Sequence, residues 1–143
     1  MSEYGRRMVV DADFDTAVET IRRAVNDEGM HVINVFDVRE HFARYADHDF
    51  RRFAIVEAWS PDLALLALRQ TLEAATMLPT RFAVYELPDG ETGVITEGPF
   101  ATLAENPAWR HSEPRLAEIA DRESERVGQV LDRVRRHPRR AAA

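Results

Sequence analysis

The stretch Phe53-Ala54-Ile55-Val56-Glu57-Ala58-Trp59-Ser60-Pro61-Asp62-Leu63 decides the fold class. Its first part is rich in apolar, strand-favouring residues, with one acid, Glu57, set among them. Its end is a helix start: Ser60 stands at the N-cap, Pro61 at the first helical position, and Asp62 at the positive end of the helix dipole. Further on, Leu78-Pro79-Thr80-Arg81-Phe82-Ala83-Val84-Tyr85-Glu86 restarts the chain as a strand. The unit is therefore strand, capped helix, strand.

Towards the N-terminus, residues 7 to 10 read as a first strand. Asp13 then precedes an apolar stripe at Phe14, Ala17, Val18, Ile21 and Val25, which predicts an amphipathic helix with an N-cap. Gly29 ends that helix as a C′ glycine. His31 to Val38 is rich in β-branched residues and reads as a strand, and residues 40 to 46 as a short helix. Towards the C-terminus, Pro88-Asp89-Gly90 is a turn that sets residues 92 to 97 antiparallel to the preceding strand. Gly98-Pro99 breaks the chain before a short helix to Glu105. Ser112 is expected to cap a last helix that Pro138 ends, its stripe carrying Leu116, Ile119, Ala120, Val127, Val130, Leu131 and Val134. Pairs at i,i+4, Glu118–Arg122 and Asp132–Arg136, support its outer face. Gly128 costs this helix about 1 kcal/mol relative to Ala; close approach of another backbone or drift at a tolerant position would account for it.

The order β-α-β-(α)-β-α-β-β-(α)-α predicts an α+β domain: a mainly antiparallel sheet of about five strands with helices on one face. Residues 1–137 form one domain in this reading, and residues 138–143 a flexible Arg-rich tail. The helix after Pro61, expected to run to about Ala75, is apolar on two sides. Leu63, Leu66 and Ala67 lie on one and Leu65, Leu68 and Leu72 on the other. One stripe suffices to cover a sheet, so the second is expected to meet another helix or subunit.

Composition bounds function. The 143 residues include no cysteine, which excludes disulfides, thiolate chemistry and cysteine metal sites. All 19 basic residues counted as Lys+Arg are arginine, as a GC-rich, bacterial genome produces. A net charge of −6 argues against nucleic acid as a partner. No apolar run reaches membrane-spanning length and the first residues form no apolar h-region, so the expectation is a cytoplasmic protein without membrane contact.

Several of these segments together resemble a known family. Ala58-Trp59-Ser60-Pro61 is followed by Met77-Leu78-Pro79-Thr80, then by a strand ending Tyr85-Glu86 and an Asp-Gly turn. Upstream, Phe14-Asp15-Thr16-Ala17-Val18 leads to Glu28-Gly29-Met30 and an extended run to Asp37. The pattern is similar to the family numbered 302 among domains of unknown function, over residues 4 to 105 and on towards 135. The resemblance implies a small TBP-like α+β fold and a homodimer, with no settled activity; no cofactor is expected from the sequence itself, which carries no Gly-rich phosphate loop or Rossmann fingerprint. Many members carry cysteine just before the first proline and just after the second. Here Trp59 (or Ser60) and Thr80 take those places, so a thiol-based role is closed to this chain.

Strand alternation puts Phe53, Ile55, Glu57 and Trp59 on one face, and Arg81, Ala83 and Tyr85 share a face on the next strand. In register, Glu57, Trp59, Arg81 and Tyr85 would form a ligand-binding surface for a small organic molecule, between sheet and helix or at a dimer interface. The alternatives are a cofactor-independent isomerase or cyclase with Glu57, Tyr85 and His41 as candidate catalytic groups, and a protein-interaction module built on the helix at 61–75. The rival for Glu57 is an ion pair that ties two strands. His41, Asp47, His48 and Asp49 fit no established metal-ligand spacing, and no metal is assigned. Glu123 falls on or beside the last helix's stripe, where pairing with Arg126 or Arg22 at the stripe's edge is the plainer expectation. Trp59 and Trp109 are expected to anchor core or interface.

Overall fold

A computed structural model describes residues 5–136. Five strands, β1 (Arg6–Val10), β2 (His31–Asp37), β3 (Phe53–Trp59), β4 (Thr80–Glu86) and β5 (Thr92–Glu97), form one antiparallel sheet in the order β1-β5-β4-β3-β2. Six helices accompany it: α1 (Phe14–Asp27), α2 (Val38–Tyr45), α3 (Pro61–Gln70), α4 (Pro99–Ala104), α5 (Pro107–Ser112) and α6 (Pro114–Arg135). The class is the α+β arrangement that the sequence predicts, a five-stranded antiparallel sheet with helices, but the helices do not all gather on one face: the aromatic rings of α2 pack on the outer one. The tail and His137 lie outside the described residues.

Local chemistry explains most boundaries. Asp13 Oδ1 accepts the Thr16 amide at 2.8 Å and starts α1; Gly29, at φ 74°, turns the chain out of it in the left-handed region open to glycine. Asp37 Oδ1 accepts the Glu40 amide at 2.9 Å, so one residue closes β2 and caps α2. Gly90, at φ 86°, makes the β4–β5 turn, and Asp89 Oδ1 there accepts the Glu91 amide at 3.0 Å.

Alternation divides the sheet into two faces. Inward go Met8, Val10, Val56, Ala58, Phe82, Val84 and Val94, all at most 8% exposed, to meet the α1 stripe and the C-terminal half of α6. Thr92 and Thr96 are buried on this face too, and their hydroxyls donate to the Ala12 and Arg81 carbonyls at 2.8 and 2.9 Å. A second cluster joins Leu63 and Ala67 of α3, Ala74, Phe100 and Ala104 to Leu116, Ile119 and Ala120 of α6. The long last helix is thus shared between two cores.

The structure redraws four sequence expectations. The helix begun at Pro61 ends at Gln70, because Thr71 turns extended at φ −160° and ψ 137°; a short 3-10 turn, Leu72–Thr76, follows. Burial does not follow the two sides: Leu63 and Ala67 of the first side pack against α6 with Leu68 of the second half-buried beside them, whereas Leu66 is exposed together with Leu65 and Leu72. Ser112 caps nothing. It is the last residue of α5, its hydroxyl donates to the Trp109 carbonyl at 3.0 Å, and Pro114 opens α6. Asp132 pairs with Arg135 at 3.2 Å, and Arg136 donates to its backbone oxygen. Beside Gly128 the close approach is by a guanidinium: a Cβ there would sit 3.3 Å from Arg6 Nη1, while Arg6 Nη2 donates to Ser124 Oγ.

Candidate functional site

Register brings the predicted surface together. Glu57 pairs across β3–β4 with Arg81, and Arg81 across β4–β5 with Glu97, giving a row of alternating charge on the face away from α1 and α6. Glu57 Oε2 lies 3.6 Å from Arg81 Nε and Glu57 Oε1 accepts from Asn34 Nδ2 at 3.1 Å. The Arg81 side chain is 53% exposed, so the pair adds at most about 1 kcal/mol. Trp59 stands opposite His31 at the strand's end. Tyr85 stacks on Phe53 with ring centroids 5.6 Å apart, and its ring lies over Gly93, whose missing side chain leaves the space.

His41 stands apart from these four. It is packed between Phe36 (5.1 Å) and Tyr45 (4.7 Å), and the neighbouring Phe42 meets Phe50, which meets Phe53 in turn. Through these rings α2 touches the outer face of the sheet, opposite the other long helices. His48 tilts against Phe50, and Asp49 pairs with Arg39 at 3.4 Å. Among the described residues no three His, Asp or Glu side chains converge as a metal site would require. Trp109 meets Phe100 edge to face at 6.1 Å, as an anchor of the second cluster.

On the opposite face a cleft opens that no short motif announces. Where α1 leaves the end of β2 and β3 uncovered, a space of about 420 Å³ forms over Val35 and Ala54, walled by Phe14 and Val18. Its rim is charged. Arg52 donates to both carboxylate oxygens of Asp15, at 2.9 and 2.6 Å, and lies 4.5 Å from the Phe14 ring centroid. These bonds hold the Asp15 carboxyl below its usual pKa. Arg22, on the same rim, is 3.9 Å from Glu19, a looser contact that leaves its guanidinium able to turn.

Glu123 departs most from expectation. It is 5% exposed, inside the stripe rather than at its edge, and Arg126 pairs bidentately with Asp62 at 2.7 and 2.9 Å instead. Burial pushes the Glu123 carboxyl up, and the neighbouring Ser60 and Arg126 pull partly the other way. Ser60 occupies the N-cap position of α3, yet its side chain caps nothing. Neither Ser60 Oγ nor Glu123 Oε1 has a hydrogen-bond partner in the protein, although the two residues are neighbours. A narrow crevice with about 10 Å³ of free space, room for about one water, runs beside Glu123 past Thr80, Gly98 and Phe100. Both Ser60 and Thr80, at positions where the resembling family often carries cysteine, are buried, whereas Trp59 belongs to the outer face. The spacing of Glu123 from Leu116 was the available signal for its burial.

Comparison with known proteins agrees with the fold. The structure is similar to the crystal structure of the uncharacterized conserved protein DUF302 from Bacillus stearothermophilus, with a TM-score of 0.78 and 24% sequence identity over 94% of this chain and 100% of that one. No curated protein matches this chain. The family model described as domain of unknown function DUF302 matches residues 6–134, nearly the whole chain, and the chain belongs to that family.

Proposed function

We propose that this chain, acting as a single α+β domain, binds a small organic molecule between the sheet and α1. The observation that carries the reading is the cleft over Val35 and Ala54. Its volume of about 420 Å³ falls in the range of small-molecule sites, and its lining is mixed: four apolar residues below an open rim that carries Asp15, Glu19, Asp37, Arg22 and Arg52. Phe14, Val18, Val35 and Ala54 supply an apolar floor and wall. Arg22 supplies a cation at the rim that a ligand's anionic group can draw from Glu19. The fitting ligand is a compact apolar or aromatic body with one acidic substituent.

The test uses anilinonaphthalene sulfonate, which has that chemistry. Wild-type protein is expected to give saturable fluorescence with one site per chain, and Val18→Phe, which fills the cleft from α1, to abolish it while circular dichroism stays native. An unsaturable signal, or one unchanged in the variant, would overturn the reading.

The outer face favours a second reading, self-association. Val9 (54% exposed) and Phe36 (38%) flank half-buried Ile55, Trp59 and Tyr85 there. The row Glu57, Arg81, Glu97 is self-complementary, since a second copy turned by two-fold symmetry can set each Arg81 against an acid. A catalytic use of Glu57 would draw on the same face, but its carboxylate already serves Asn34 and Arg81, so ligand binding at the cleft is the reading carried forward.

A further inference from the structure

Glu123, Ser60, Asp62 and Arg126 meet where the first turn of α3 rests on the middle of α6. We infer that this junction is a pH-sensitive latch, in which the protonation of Glu123 sets how firmly the start of α3 is seated on α6. Three observations converge on it. Glu123 is 95% buried by its 5% exposure, and its Oε1 has no partner. The fully buried Ser60 hydroxyl beside it is also unpartnered, so two buried polar atoms face each other across the contact, while the Ser60 hydroxyl and amide lie close enough to pull the Glu123 pKa partly back down. Outside it, Asp62 of α3 and Arg126 of α6 clamp the same two helices through two bonds.

A protonated Glu123 needs no counter-charge and can donate to Ser60 Oγ; ionised, it can accept from the Ser60 hydroxyl and amide, but burial outweighs that help. An ionised one is a buried charge, costly unless solvated or paired. Arg126 is already committed to Asp62, and the crevice on the far side admits about one water. Hydration beyond that one water requires lifting the α3 start away from the carboxylate. The charged groups facing the junction are Asp62 from α3, Arg126 from α6 and Arg6 of β1 across the crevice; Glu97 of β5 borders the crevice but its side chain belongs to the outer sheet face, and the α4 wall contributes Phe100 and Ala101, which are uncharged. Of these, Asp62 has its pKa lowered to about 2 and stays ionised throughout the range in which Glu123 titrates. Burial raises the Glu123 pKa above 4.5, so the latch is closed at low pH and loosens as pH rises through the raised value.

Amide hydrogen exchange on the full chain tests this, corrected for intrinsic rates between about pH 4 and pH 8. In the wild type, protection of the α3 amides is expected to fall about tenfold relative to the α1 amides as pH rises. In Glu123→Gln the ratio should stay flat. A flat ratio in the wild type, or the same fall in the variant, would overturn the latch. A second readout needs no substitution: the side-chain carboxyl ¹³C shift of Glu123 must titrate in step with α3 protection, and a mismatch of the two midpoints would also refute it.

Discussion

Replacing Gly93 by alanine should destabilise the protein, although alanine is ordinarily the better residue in a strand interior. A Cβ built on Gly93 falls 2.5 Å from Tyr85 Cζ and 2.8 Å from its hydroxyl, so the ring must swing away. Swinging forfeits the stack on Phe53, worth about 0.5–1.5 kcal/mol. It also uncovers roughly 40 Å² of apolar surface over the glycine, about 1 kcal/mol. Against this, alanine recovers about 0.5–1 kcal/mol of backbone entropy. The net is a loss of about 1 kcal/mol, read as a fall of roughly 0.5 M in the urea midpoint at unchanged slope. The discriminating experiment repeats the substitution in a Tyr85→Ala background. There the obstacle is gone and Gly93→Ala should stabilise by about 0.5–1 kcal/mol, a reversal of sign. An unchanged or raised midpoint in the wild-type background, or the same loss in both, would refute the claim that the tyrosine ring occupies the glycine's space.

Acid should weaken the α3–α6 clamp. The Asp62 pKa is lowered to about 2, so its stabilisation is complete above the unfolded value near 3.8 and disappears as pH falls through about 2. Because the Asp62 side chain is 54% exposed, the discounted worth is about 1 kcal/mol, and Asp62→Asn should remove that component from a stability profile between pH 5 and pH 2. If the outer sheet face joins two copies, Val9→Asp with Phe36→Asp should convert dimer to monomer in sedimentation equilibrium, since both side chains are exposed in the single chain. A wild type that sediments as monomer at tens of micromolar would dismiss that interface.

The parts of the fold that local chemistry determines were legible. Asp13, Gly29 and the Asp89-Gly90 turn stand where caps and turns require them, and period-two alternation gave both faces of β3 and β4. Alternation put Glu57 and Arg81 on matching faces, but their pairing rests on the β3–β4 register, which the intervening α3 and 3-10 turn leave to tertiary assembly. Errors came where a signal had two meanings. Ser60-Pro61 is a helix start, and capping seemed to account for the serine, but the hydroxyl faces Glu123 instead. The leucines after Pro61 carry helical periodicity beyond Gln70, while the break at Thr71 leaves no Gly or Pro as a marker. Asn106 caps α5 through the Ala108 and Trp109 amides, a start masked by the short loop around it. The cleft was illegible for another reason. Its walls come from α1, β2 and β3, and only tertiary assembly decides how much of Val35 and Ala54 a helix leaves uncovered.

The strand order carries a consequence for how the chain assembles. β1 is made first, yet its neighbour in the sheet is β5, with Arg6 opposite Thr96. The intervening chain must close a long loop before that pairing is rewarded, whereas β4 and β5 meet across a short turn. The central hairpin is therefore the natural nucleus, and the first-synthesised strand is among the last to dock. Until it does, the outer edge of β5 stands open, which makes the window before β1 arrives the most vulnerable to mispairing with another chain.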